Sequence, residues 1–281
     1  MTIRITVLVE NSASDQTLMS EHGLSFWIEN GKRGGLKILF DTGQSDILFD
    51  NAGVLGINLK DTEAVVLSHG HYDHTGGLYK VLETAPAAKV YLHPDALKPK
   101  YSRSGSGSGH NISMPAQTVQ MVHQRESSGS VIHTDKPTEV LPGMTVTGPV
   151  KRVTDFEQVS GPFFLDAEGK NPDLLVDDQS LFFESAKGMV VVLGCAHAGV
   201  VNTLQYISEL SGAKEFYAVM GGMHLGNATD ERITRTVEAL RGFKVARIGP
   251  CHCTGQEAVR KISRAFPDGF FECSTGVQIE F

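Results

Sequence analysis

The sequence predicts an α+β fold in which β-sheet carries helices on its outer face. Three observations lead there. The first half is rich in short apolar, β-branched runs. The second half alternates such runs with amphipathic stretches of helical length. No internal repeat of fixed period interrupts either half, so a solenoid or propeller is not indicated.

The elements follow in order. Residues 3–10, 24–29, 36–40 and 64–68 read as strands, being short runs of Val, Ile, Leu and Phe bounded by Gly, Asn or Asp. A short helix is expected over 45–52. After a long irregular middle, 189–194 reads as a strand, 199–210 as a helix and 216–220 as a strand. A helix at 230–240, a strand at 245–248, a helix at 256–265 and a closing strand at 276–280 complete the alternation. Strand–helix units of this kind lay helices against a sheet. The 281 residues are expected to form a single domain, 1–281, with a flexible loop insertion at about 99–135. That insertion holds a Gly/Ser tract at 102–109, and long loops inside compact domains are often lids. A second irregular stretch, 154–172, is expected to line the same mouth. His110, His123 and His133 lack ligand spacing and read as exposed loop residues.

Composition narrows the partners. A net charge of −7 argues against a nucleic-acid surface as the main purpose. No apolar run approaches the ~18 residues needed to cross a membrane. The N-terminal residues read as a strand and lack the layout of a signal peptide. Cys195, Cys251, Cys253 and Cys273 are the four cysteines, and three lie beside candidate site residues. That distribution suits a reducing cytoplasm better than a disulfide framework. Cys273 reads as a small buried residue. Oligomeric state has no signal in the sequence.

Chemistry concentrates in Ser68-His69-Gly70-His71-Tyr72-Asp73-His74-Thr75-Gly76-Gly77, where four metal-ligand side chains fall within six residues. The stretch follows the apolar run Ala64-Val65-Val66-Leu67 and precedes a helix expected from about Gly76. Side chains repeat every two residues along a strand, so His69 and His71 can face one side. The turn that follows can bring Asp73 and His74 into the same space. Imidazoles with a carboxylate suit Zn²⁺, Fe²⁺ or Mn²⁺ rather than Ca²⁺, which prefers all-oxygen shells.

The pattern His69-x-His71-x-Asp73-His74 resembles the signature of the metallo-β-lactamase superfamily. Further segments resemble its other motifs in order: Leu36 to Gly43, Val190 to His197, and Ala246 to His252. The resemblance implies a four-layer αβ/βα sandwich with one or two transition-metal ions at the edge of two sheets, zinc first, iron or manganese next. It implies that His69 and His71 hold one ion with a third histidine, either His197 or His224. Asp73, His74 and His252 would hold the second, while Asp41 would support the histidine ligands. One departure stands out. Where the superfamily often places a bridging Asp after a strand, this chain has Gly194-Cys195. Thiolate is softer than carboxylate and favours Zn²⁺ or Fe²⁺. Asp73, Cys195 and His224 are therefore the expected catalytic groups, with Cys195 a ligand or near neighbour of the metal.

Several segments together resemble a narrower branch, the 7,8-dihydropterin-6-yl-methyl-4-(β-D-ribofuranosyl)aminobenzene 5′-phosphate synthases. They are Val7 to Asn11, Gly23 to Glu29, His69 to Gly77, Gly194 to Gly199, Gly221 to Leu225 and Gly249 to Gly255. This resemblance implies a metal-dependent hydrolase or transferase acting on a phosphorylated or heterocyclic, pterin-like small molecule. It implies a condensation of a pterin with an arylamine ribotide, with Phe156, Phe163 and Phe164 placed to stack on rings. Two other classes stay open. A non-haem iron redox protein is one, although diiron relatives usually carry Glu where this chain has His71. A metal-dependent ligand-binding protein without catalysis is the other.

Overall fold

The structure is a computed structural model that describes residues 2–30, 35–105, 107–158 and 161–281. Ser106 of the Gly/Ser tract and residues 159–160 of the second irregular stretch lie outside them. Its first half runs β1 (Ile3–Val9), β2 (Ser25–Asn30), β3 (Lys37–Phe40), α1 (Ile47–Val54), β4 (Ala64–Val66), α2 (Tyr72–Thr75), α3 (Leu78–Thr84) and β5 (Lys89–Leu92). The middle carries β6 (Tyr101–Ser102), β7 (His110–Asn111), α4 (Ala116–Glu126), β8 (Val131–His133), β9 (Thr138–Leu141), β10 (Met144–Val146) and β11 (Phe163–Phe164). The rest comprises β12 (Leu181–Ser185), β13 (Gly188–Leu193), α5 (Val200–Ser211), β14 (Phe216–Gly222), α6 (Asp230–Gly242), β15 (Arg247–Cys251), α7 (Gln256–Ala265) and β16 (Gln278–Glu280).

Two sheets face each other. The first has the order β16-β1-β2-β3-β4-β5-β8 and the second β15-β14-β13-β12-β10-β9. Alternation along the strands decides what fills the space between them. Ile5, Val7, Phe26, Ile38, Phe40 and Val66 of the first sheet pack against Val146, Leu181, Phe183, Val190, Val192 and Met220 of the second. The opposite side chains of the same strands point outward. Leu39, Val65 and Val90 meet Leu48, Leu78, Val81 and Val122 of α1, α3 and α4. Val191, Leu193 and Val219 meet Leu204, Ile233 and Ile262 of α5, α6 and α7. Helix, sheet, sheet, helix is the four-layer sandwich of an α+β chain.

The middle segment differs from the expectation of a flexible loop. Residues 99–135 contain α4, two strands of a small third sheet with the order β11-β6-β7, and β8, which extends the first large sheet in parallel with β5. Short, weakly periodic strands beside a Gly/Ser tract gave no pattern long enough to see. β5, the β9–β10 hairpin and β12 lie outside the sequence expectation as well, each strand being only three to five residues long. His110, His123 and His133 sit on β7, α4 and β8, all exposed. The helix expected from about Gly76 is α3, which begins at Leu78, and a separate single turn precedes it: Asp73 and His74 lie within α2 rather than in an irregular turn. No helix among the described residues is long and apolar enough to cross a membrane.

Candidate metal centre

The strands deliver their polar ends to one edge. β4 runs into Ser68–His71, and the parallel strands β13, β14 and β15 end at Leu193, Gly222 and Cys251, just before Cys195, His224 and His252. Each of these exits turns sharply. Ala196 (φ 51), His224 (φ 46) and His252 (φ 53) adopt left-handed backbone, as does Asp41 (φ 59) at the end of β3. Side chains with a Cβ rarely sit there unless the surroundings hold them. Gly194 has no space for a Cβ, which would meet Ser68 Oγ at 2.1 Å, so the Ser68 side chain packs directly on the backbone of the second sheet here.

Eight side chains converge. His69 Nε2 and His71 Nδ1 are 2.9 Å apart, and His197 offers a nitrogen within 4.8 Å of both. His74 Nε2 lies 3.2 Å from His252 Nε2 and 3.2 Å from Cys195 Sγ. Asp73 Oδ2 stands 3.4 Å from His252 Nε2 and 3.7 Å from His74 Nε2. His224 groups with Cys195 and His197 rather than with the His69–His71 pair. Every residue expected at the site is thus at this edge.

Outward bonds fix the rings. His74 Nδ1 donates to Asp41 Oδ2 at 2.7 Å. Asp41 also accepts from the Ser68 amide at 2.7 Å and the Ser68 hydroxyl at 2.6 Å, and Ser68 Oγ lies 2.9 Å from His69 Nδ1. His252 Nδ1 lies 3.0 Å from Asn11 Oδ1. Tying Nδ1 to an outer acceptor turns Nε2 inward, the arrangement that orients metal-binding imidazoles. Inside the ring of residues, polar atoms lack protein partners. His71 Nε2 and both ring nitrogens of His197 are buried with no hydrogen bond among the described residues. A buried polar group without a partner is costly, so a cation held by one His197 nitrogen, beside His69 Nε2 and His71 Nδ1, fits this cluster.

Burial and neighbouring charge act differently on the histidines of the cluster. Burial holds His69 and His197 well below the usual histidine range and His71 at about 3, so all three rings are neutral, as ligation requires. Burial also opposes charge on His74, but Asp73 and Asp41 outweigh it and raise its pKa to about 9. Asp73, although desolvated, is held well below the carboxylate range by His74, His22 and His252.

Sequence reasoning missed four contributors. His22 Nε2 lies 3.1 Å from Asp73 Oδ2, and its ring stacks on His252 with centroids 5.0 Å apart. Cys253 comes within 4.8 Å of Cys195 and His252. Asp177 Oδ2 accepts from the Gly70 amide at 2.8 Å, between the two histidines of the motif. Asp178 Oδ2 accepts from the Ala198 amide at 2.9 Å, beside His197, and burial pushes its pKa up to about 6. The dipeptide Asp177-Asp178 before β12 was the available signal, but that strand itself was not anticipated.

The insertion reaches the site through Lys100. Its ammonium is 1% exposed and bonds Asp173 at 2.8 Å and Asp177 at 3.0 Å. Phe163 of β11 packs on His71 and His197, with ring centroids at 5.2 and 5.4 Å. Phe156 instead packs against the outer core, under Arg235.

The family model of the metallo-beta-lactamase superfamily matches residues 21–252. The chain belongs to this superfamily. It is 32% identical over 291 residues, 99% of this chain and 97% of the relative, to the 7,8-dihydropterin-6-methyl-4-(beta-D-ribofuranosyl)-aminobenzene-5'-phosphate synthase of Methanocaldococcus jannaschii. Among solved structures, Tm1679, a metal-dependent hydrolase of the beta-lactamase superfamily, superposes with a TM-score of 0.83 at 31% identity and covers 99% of both chains. YhfI from Bacillus subtilis shares the fold at a TM-score of 0.59 and 12% identity, with full coverage of both chains. Membership in the superfamily and the relatives' names make the protein an enzyme with a divalent-metal site.

Proposed function

We propose that the protein is a metal-dependent transferase that joins a pterin-like heterocycle, activated as a diphosphate ester, to a phosphorylated arylamine ribotide: the bond to the arylamine forms as the C–O bond to the leaving pyrophosphate breaks, and the displaced amine proton passes to solvent. His69, His71 and His197 would hold one ion. Asp73, His74 and His252 would hold a second, with Cys195 between the two positions. Zinc is the best match to this mixture of imidazole, carboxylate and thiol, followed by iron and then manganese. The observation that carries the metal reading is the convergence of His69 Nε2 and His71 Nδ1 with a buried His197 ring that has no hydrogen-bond partner. The near full-length likeness to the synthase supports the substrate class.

A bound transition metal lowers the pKa of water to about 7 and polarises carbonyl or phosphoryl oxygens. The chain's own groups do the rest. Asp41, Ser68 and Asn11 hold the rings in place. His22 is half-exposed beside Asp73 and is positioned to pass a proton between solvent and the site. Phe163 offers an aromatic face next to His71 for a planar substrate. Buried free thiols suit a reducing compartment such as the cytoplasm.

Hydrolysis is the second reading, favoured by the similarity to Tm1679. One experiment separates the two. The zinc-loaded enzyme is incubated with an activated 6-hydroxymethyl-dihydropterin and the arylamine ribotide, and in parallel with generic phosphodiester and lactone substrates. A joined product in the mass spectrum supports the transferase. Hydrolysis of the generic substrates with no joined product overturns it.

A further inference from the structure

The second sheet brings more sulfur to the centre than the proposed ion positions use. β13, β14 and β15 lie side by side in parallel register, and all three end at this edge. The left-handed turn at Ala196 lets Cys195 and His197 face one space. The one at His252 does the same for His252 and Cys253. Sulfur and nitrogen donors of Cys195, His252 and Cys253 all lie within 4.8 Å of one another. Cys253 Sγ is 3.5 Å from the Cys195 carbonyl.

The four cysteines divide cleanly by environment. Cys251 and Cys273 are members of the apolar core between the sheets, where a thiol serves as a small hydrophobe. Cys195 and Cys253 belong to none of the apolar clusters of the described residues and face imidazoles instead. Space for Cys253 is made by Gly222: a Cβ there would meet its sulfur at 2.7 Å.

We propose that Cys253 is a metal ligand, and that Cys195, Cys253 and His252 form a two-sulfur donor set at the second ion position. Each thiol binds as thiolate and releases its proton to solvent. Two sulfurs select a borderline or soft cation: Zn²⁺, Cd²⁺ or Fe²⁺ over Mn²⁺ and Mg²⁺. This set shares His252 with the Asp73–His74 group, so the position carries sulfur on the side of the second sheet and nitrogen and oxygen on the side of the first.

The inference rests on the metal centre proposed above. Its test reads sulfur ligation separately from metal content. The full-length protein is loaded with Co²⁺, metal per chain is counted by mass spectrometry, and near-ultraviolet sulfur-to-cobalt charge transfer is recorded. Two sulfurs predict that Cys253→Ser and Cys195→Ser each lower the band to about half, and that the double variant abolishes it. In Zn²⁺/Mn²⁺ competition, Cys253→Ser should reduce the preference for zinc by about tenfold. Circular dichroism confirms that each variant is folded. Full band intensity in folded Cys253→Ser overturns the inference, as does metal bound with no sulfur band; in both cases the histidine centre stands. A wild-type protein that takes up no metal overturns both proposals together.

Discussion

Asp177 and Asp178 are neighbours in the chain, yet each holds a different half of the site. Asp177 accepts from Gly70, in the loop of the first sheet, and Asp178 from Ala198, in the loop of the second. Gln179 continues the clasp. Its amide donates to Ser68 O at 3.0 Å, and its side chain donates to Leu67 O at 2.8 Å. The distance between the His69–His71 pair and His197 is therefore set by three consecutive residues before β12.

Lys100 balances the buried charge of this clasp. Lys100→Met should destabilise the metal-free protein by about 3–5 kcal/mol, because Asp173 and Asp177 would remain buried without a counter-charge. Adding Asp173→Asn and Asp177→Asn to that variant should restore most of the loss. Denaturant unfolding of the single and triple variants measures it. A triple variant no more stable than Lys100→Met would contradict the account.

His74 makes the metal-free protein sensitive to alkali. Its folded-state pKa of about 9 lies above the ordinary ~6.5, so its proton contributes stability that is complete below ~6.5 and lost as pH rises through about 9. Melting temperature of the chelator-treated protein should fall across that window, and Asp41→Asn should flatten the fall. Metal displaces the same proton. Calorimetric titration with Zn²⁺ in buffers of different ionisation enthalpy, at a pH between the two values, should show its release.

The third histidine of the first ion position is decided by metal counting. His197→Ala should lose one equivalent, because His197 groups with His69 and His71. His224→Ala should keep that equivalent, because His224 groups with Cys195 and His197 instead. Metal per chain by mass spectrometry, on variants checked for folding, gives the answer. Retention in the first variant with loss in the second would reverse the assignment.

Much of this was legible in the sequence because the motifs are local. The run His69 to His74 is contiguous, and the strands leading to Cys195, His224 and His252 are short apolar runs that end in Gly or Cys. From residue 189 onward the α+β alternation marked the elements to within a few residues, and 256–265 without error. What stayed hidden depends on distance along the chain. Lys100, Asp173 and Asp177 are ordinary charged residues until folding buries them together. His22 is a lone histidine before a strand, and only the approach of β15 sets it against Asp73 and His252. The choice between His197 and His224 could not come from spacing, since each follows a strand in the same way.

The left-handed residues at the strand ends have a consequence for motion. Conformations that disfavour a Cβ persist at Ala196, His224 and His252 because the folded core imposes them. Each of these corners therefore depends on the packing of the strand that leads into it. A core substitution beneath β13, β14 or β15 would let the backbone relax toward ordinary angles and swing the donors of Cys195, His197, His224 and His252 apart, so the geometry of the cluster is guarded from below, by apolar residues that never touch it.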